Sequence, residues 1–347
     1  MEEIFKQLVR RLTFLFLSLL GTIILIAIIL ITYREEEEDE IMDQIDVLDK
    51  TILEWDAEKL IINNPKVTDL VKNGYYLIAE SSKFMGLLVK DPSKRYSGNN
   101  LSCTNCHLNG GTLSGSASWI DILDRFPQFR GRENKIGTIQ ERINGCMERS
   151  MNGIKLNETS GQMKAIIAYI DWISKELNDL NSKNFKGYPA IKIPDVAVDL
   201  KIGSKIYERE CLLCHAKNGE GIRYENFEKG YLYPPLWGDD SYNDGAGMHR
   251  VITAAAFIKN NMPYLQATWE KPKLTDEEAF HVAGYINSFQ RPEKLNKTAD
   301  FPDKKLKPVS TPYGPWSDNF SPKQHKYGPF PPIISYYKKE FGLTKTK

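Results

Sequence analysis

The sequence predicts a mainly α-helical protein with an N-terminal membrane helix, two tandem helical domains of one plan, and an irregular proline-rich tail. Three observations carry that prediction. Residues 12–31 are almost continuously apolar, two Cys-x-x-Cys-His segments each sit between helix-like patterns, and beyond residue 291 prolines and aromatics replace the periodic pattern. The 347 residues hold two modest domains plus an anchor and a tail. Lys and Arg number 46 against 45 Asp and Glu, which excludes a charge-based argument for nucleic acid or any strongly charged partner. Five cysteines are too few for a disulfide-stapled secreted scaffold.

The apolar run is interrupted only by Thr13, Ser18, Gly21 and Thr22. About 20 apolar residues cross a bilayer core as a helix. Lys6, Arg10 and Arg11 precede the run and six acidic residues from Glu35 to Glu40 follow it. Positive charge stays cytoplasmic, so residues 1–11 lie inside, 12–33 span, and the rest lies outside. The competing reading is a cleaved signal peptide. Its apolar region is roughly 7–15 residues long and ends at a small-residue cleavage site, and nothing of that kind follows Ile31. An uncleaved single-pass inner-membrane anchor is therefore expected, with the domains on the periplasmic side.

Residues 34–66 read as an acidic stalk helix, since Ile41, Ile45, Leu48, Ile52 and Trp55 recur at four and three. Two heptads are fewer than a coiled coil needs, so the stripe is expected to rest on the first domain. A homodimer seam through the stalk is the second reading. The first domain spans 67–177 and the second 197–291; each leads through a helical pattern into Cys-x-x-Cys-His, then a loop, then a closing amphipathic helix. Residues 178–196 are polar, carry Gly187, Pro189 and Pro194, and suit a linker. In the tail, 292–347, Pro312, Pro315, Pro329, Pro331 and Pro332 argue against helix or central strand. Its aromatics, Trp316, Phe320, Tyr327, Phe330, Tyr336 and Tyr337, argue against disorder, so it is expected to pack over both domains.

Cys103-Thr-Asn-Cys106-His107 and Cys211-Leu-Leu-Cys214-His215 both match the haem c attachment sequence. Two thiols three positions apart reach the two vinyl groups of one porphyrin, and the adjacent His can ligate its iron. Two covalently bound haems c are therefore expected in two cytochrome c-like domains. A four-cysteine zinc site wants its pairs about 15–20 residues apart, whereas more than a hundred separate these. A thioredoxin-like redox motif needs a βαβ setting that the pattern lacks. Haem attachment occurs on the outer face of the membrane, in agreement with the anchor's orientation.

Each iron needs a sixth ligand or an open site. For the second haem the candidates are Met248, Met262, His249 and His281. Met262 lies in Asn261-Met-Pro263, after the Pro234-Pro-Leu turn, an order typical of small monohaem domains, and Met ligation raises the potential. Met248 could equally be a packing residue. His281 falls within a closing helix and reads as a core or surface residue. For the first haem, Cys146 is an unpaired thiol in an oxidising compartment, flanked by Arg142 and Arg149. Positive neighbours favour the thiolate, an established axial haem ligand. A buried inert cysteine is the plain reading, and Met147 and Met151 are rivals for the iron.

With these residues in place, the chain resembles the dihaem thiosulfate dehydrogenases, from about Gly74 to Pro332. The resemblance rests on the paired haem sites, Phe126-Pro-Gln-Phe-Arg-Gly-Arg132, Arg142-Ile-Asn-Gly-Cys146 through Gly153, Tyr233-Pro-Pro-Leu-Trp237, Gly245-Ala-Gly-Met248, Asn261-Met-Pro and His325-Lys-Tyr-Gly-Pro-Phe330. It implies His107 and Cys146 as axial ligands of an active-site haem and His215 and Met262 as those of an electron-transfer haem. It implies that Arg132 and Arg142 bind the substrate anion, with Ser150 nearby. Asn261 stands where some relatives carry Lys, and the anchor departs from the many soluble relatives. The implied reaction joins two thiosulfates to tetrathionate, in either direction, and passes two electrons to a small redox cytochrome or a membrane acceptor. Arg suits oxyanions because it binds them bidentately and is always charged. The competing class is a non-enzymatic, membrane-tethered dihaem electron carrier, which leaves Cys146 and its arginines without a task. A dihaem peroxidase would need an open iron, and no residue marks one.

Overall fold

The computed structural model describes residues 2–3, 5–7, 9–26, 28–29, 32, 56–176 and 187–346. The chain divides into two units, Met1–Trp55 and Asp56–Lys347. In the first, helix α1 (Phe5–Ile26) is long and apolar enough to cross a membrane, with a mean hydropathy of 1.9. The heptad positions from Ile41 to Trp55, and with them the dimer seam, lie outside the described residues, as do 177–186 of the expected linker.

The second unit is built on two helix pairs that repeat one device. In the first half, α2 (Asp69–Ala79) packs against α4 (Gly161–Glu176), with α3 (Ile139–Met147) between them in sequence. In the second half, α5 (Leu200–Glu210) packs against α7 (Asp276–Ile286), and α6 (Val251–Asn261) lies against α7. Side chains cap their starts as local chemistry dictates. Thr68 and Asp199 accept from backbone N–H groups of α2 and α5, while Thr138/Glu141 and Thr275/Glu278 form capping boxes at α3 and α7.

At each crossing a glycine permits the contact. A Cβ on Gly74 would stand 2.1 Å from the Ala165 carbonyl oxygen and 2.8 Å from Tyr169 Cβ. One on Gly203 would meet the His281 oxygen at 2.4 Å and Tyr285 Cβ at 2.7 Å. The partner tyrosine of the first crossing then ties the helix pair to the haem segment: Tyr169 donates to the Gly110 carbonyl at 2.7 Å, three residues past His107.

Two short antiparallel ribbons, which the sequence reading took for loop, interrupt the helices: β1 (Gln128–Arg130) with β2 (Lys135–Gly137), and β3 (Ile222–Arg223) with β4 (Tyr231–Tyr233). The first ribbon holds Arg132 in its turn.

Within the second unit the two halves share many hydrogen bonds. Asn100 donates to Asp240, Asn99 to the Ser241 carbonyl, Asn105 to the Tyr231 carbonyl, and Asn243 to the Glu148 carbonyl. From Gly187 onward the expected linker is a packed strap: Tyr188 meets Phe257 edge-on, and Asn260 donates to the Pro189 carbonyl.

The tail corrects the expectation that its prolines exclude helix. It forms α8 (Pro322–Tyr327) and α9 (Pro331–Phe341), whose prolines occupy the first helical positions, where no backbone N–H is needed. Phe330, Ile333 and Tyr337 are buried in the second-half core, and Phe301 bonds back to the first ribbon, its N–H donating to the Arg132 carbonyl at 2.8 Å.

Candidate active site

Hydrogen bonds orient all five histidines, and three of them, His107, His215 and His249, turn Nδ1 to a backbone carbonyl; of these only His107 and His215 directly follow a Cys-x-x-Cys pair. His107 Nδ1 faces the Ala117 carbonyl at 3.0 Å, and His215 Nδ1 faces the Pro234 carbonyl at 2.8 Å. A carbonyl only accepts, so Nδ1 carries the proton in both and Nε2 keeps a bare lone pair, the arrangement a metal-ligating imidazole requires. The Pro-Pro-Leu turn thus orients the second histidine. In contrast, His281 accepts the Asp199 N–H at Nδ1, inside α7. Both nitrogens of His325 face acceptors, Val309 O and Asp318 Oδ1. His249 donates to the Asp244 carbonyl, and burial pulls its pKa down to about 3. His281, which the sequence reading placed in core or surface, is core. Cys103, Cys106, Cys211 and Cys214 are all free thiols beside the two ligand-ready histidines. Burial raises Cys103 to about 11 and Cys106 and Cys211 to about 12. These donor sets fit two haems c: each offers two thiols for the vinyl groups and one imidazole nitrogen for iron.

Cys146 behaves differently from the other four. It sits in the last turn of α3, and Arg142 Nη1, one turn earlier, donates to its Sγ at 2.7 Å. Burial alone would raise its pKa, but Arg142, the adjoining His107 ring and the nearby Arg149 outweigh it and bring the thiol down to about 5. The chain thus places a thiolate against the ring of the first haem's histidine. Its two methionine rivals, Met147 and Met151, are each 2 % exposed and packed in the core. Ser150 lies in the turn after α3, where its carbonyl accepts from Asn99 Nδ2 at 2.9 Å.

Around the thiolate, four guanidinium groups converge. Arg132 pairs with Asp300 and reaches the Tyr313 hydroxyl at 3.1 Å, with its plane over Phe301. Arg149 lies 4.0 Å from Glu133, which also pairs with Arg130 at 2.9 Å. Burial and then Arg132 pull Arg149 down to about 10. Arg250, at the start of α6, senses Arg132, Arg149 and Arg142, and burial is the main reason its pKa falls to about 9. Buried guanidinium groups gathered this way are costly unless anions stand beside them. Arg250, Asp300 and Tyr313 escaped the sequence reading. They lie far along the chain from Cys146, in segments with no local motif.

In the second half, Met262 caps the end of α6, and Met262 and Met248 pack half-buried against the core, as do Cys211, Leu236 and Trp237. Met248 is held through its carbonyl, which accepts from Asn287 Nδ2 at 2.9 Å. A groove lined by Tyr207, Leu212, Trp237, Tyr285 and Phe289 flanks the attachment loop.

The chain resembles known proteins in sequence and in fold. Residues 93–178 match the SoxA/TsdA cytochrome c domain family, and residues 198–286 match the cytochrome c oxidase cbb3-type subunit III family. The thiosulfate dehydrogenase of Stutzerimonas stutzeri is 36 % identical over 229 residues, covering 66 % of this chain and 72 % of the relative. That of Psychrobacter arcticus is 40 % identical over 206 residues, 59 % of this chain and 61 % of the relative. The solved structure of the as-isolated thiosulfate dehydrogenase (TsdBA) from Marichromatium purpuratum superposes with a TM-score of 0.57 at 34 % identity, covering 66 % of this chain and 47 % of that one. With its two cytochrome c domains and two covalent haem c sites, the chain belongs to the thiosulfate dehydrogenase family of oxidoreductases.

Proposed function

We propose that the protein joins two thiosulfate ions to tetrathionate at the first haem, with Cys146 as the reacting thiolate. The observation that carries this reading is the Cys146 sulfur held between the Arg142 guanidinium and the His107 ring. In the first step the Cys146 thiolate and the outer sulfur of one thiosulfate form a sulfur–sulfur bond with loss of two electrons, leaving Cys–S–S–SO₃⁻. In the second, another thiosulfate attacks the substrate-derived sulfur, breaks its bond to Cys146, and releases tetrathionate and the thiolate. Thiolates fill such covalent roles well. When bound, each haem supplies one-electron redox capacity, so two match the reaction. His107 and Cys146 would hold the first iron, and His215 and Met262 the second.

Arg142 stabilises the thiolate each time it is released, and Arg132, fixed by Asp300, orients the sulfonate end with Ser150 nearby. The same steps run backward reduce tetrathionate. The acceptor is a small redox cytochrome or a membrane carrier. Helix α1, with Lys6, Arg10 and Arg11 in its first turns ahead of the apolar run, anchors the haem domains, 67–177 and 197–291, on the periplasmic side of the inner membrane.

Cys146→Ala tests the reading. Thiosulfate-dependent reduction of an acceptor is lost, whereas a strong chemical reductant still reduces both haems. Full thiosulfate turnover in this variant would leave only a tethered electron carrier.

A further inference from the structure

Of the four arginines named around Cys146, three have an anion within the chain among the described residues. Arg142 has the thiolate, Arg132 has Asp300, and Arg149 shares Glu133 with Arg130. Arg250 makes no ion pair among the described residues, and its Nε is shut from solvent without a hydrogen-bond partner. A guanidinium this deep, facing three others, is strongly destabilising unless a negative group stays beside it. A diffusing substrate cannot serve, because each departure would leave the charge bare. A covalently attached haem can, since it brings two carboxylates that never leave.

The segment leading into Arg250 identifies which haem: the Asn243 N–H donates to the Arg149 carbonyl at 3.1 Å and its side-chain amide to the Glu148 carbonyl at 2.9 Å, both within three residues of Cys146. Arg250 thus faces Arg132, Arg149 and Arg142 of the first half, with Tyr313 of the tail. We propose that Arg250 binds a propionate of the haem attached at Cys103 and Cys106, so that the second domain grips the first domain's cofactor. Such a grip makes the first haem's potential depend on how the halves dock, which the shared bonds of Asn99, Asn100 and Asn243 fix.

Full-length, haem-loaded Arg250→Gln and Arg250→Lys test this by redox titration, with the two haems resolved by electron paramagnetic resonance. Loss of the positive charge strands a carboxylate that favours ferric iron. Arg250→Gln therefore shifts the first haem's equilibrium tenfold toward ferric, a fall of about 59 mV. The second haem moves less, and the KM for thiosulfate stays at the wild-type value. Arg250→Lys keeps the charge and recovers most of the potential, while the propionate bending band in resonance Raman still shifts because the bidentate contact is gone. A tenfold rise in KM with an unmoved potential would make Arg250 a substrate ligand and overturn the proposal. An unmoved propionate band in Arg250→Lys would overturn it too, even if the Gln variant failed to retain haem.

Discussion

Gly74→Ala tests the helix crossing that frames the first haem. The added methyl would lie 2.1 Å from a backbone oxygen and 2.8 Å from Tyr169 Cβ, so neither neighbour can swing aside. Ordinary contact needs about 3.5 Å between carbon atoms, so α2 and α4 must part by about 1 Å. Overpacking of this kind costs about 1–3 kcal/mol, and backbone contact puts this case near the top. Replacing Gly by Ala within a helix returns about 1 kcal/mol. The difference is a net loss of about 2 kcal/mol, or about 4–8 °C in Tm at roughly 2–4 °C per kcal/mol. Thermal melts of haem-loaded protein, followed by far-ultraviolet circular dichroism, read it directly. Gly161→Ala is the control, because a Cβ there meets nothing within 4 Å, and its Tm should equal or exceed the wild type. Since Tyr169 holds the Gly110 carbonyl just past His107, Gly74→Ala should also perturb the first haem's spectrum while sparing the second. A Gly74→Ala protein that melts at or above the wild type would refute the close crossing.

Two further outcomes follow from Met262 and Lys307. Met262→Ala should abolish the methionine-to-iron charge-transfer band of the second haem and lower its potential, since Met ligation raises it; loss of that band in Met248→Ala instead would transfer the ligand role. Lys307 is 1 % exposed and donates to the Tyr313 and Pro315 carbonyls, and burial, with Lys304, pulls its pKa down to about 8. Between that value and its ordinary 10.5 the unfolded chain holds a proton the native state has lost, so this residue's contribution improves as pH rises through that window. The Tm difference between wild type and Lys307→Met should therefore move in favour of the wild type from pH 7 to pH 9.5, and a difference independent of pH would contradict it.

The sequence by itself determined whatever depends on neighbours along the chain. Two Cys-x-x-Cys-His segments define two covalent haems because thiols and imidazole act at fixed local spacing. The apolar run defines α1, and Arg142 reaches Cys146 because residues four apart share a helix face. Tertiary structure decided the rest. Prolines that read as helix breakers start α8 and α9, because their position relative to the first turn, not their presence, sets their effect. Which histidines keep a free nitrogen depends on carbonyls folded against them, such as Pro234 against His215. The charge around Cys146 depends on Arg250, Asp300 and Tyr313, brought in from the other half and the tail. Burial and Coulomb interaction act through space, so no spacing along the chain could have revealed them.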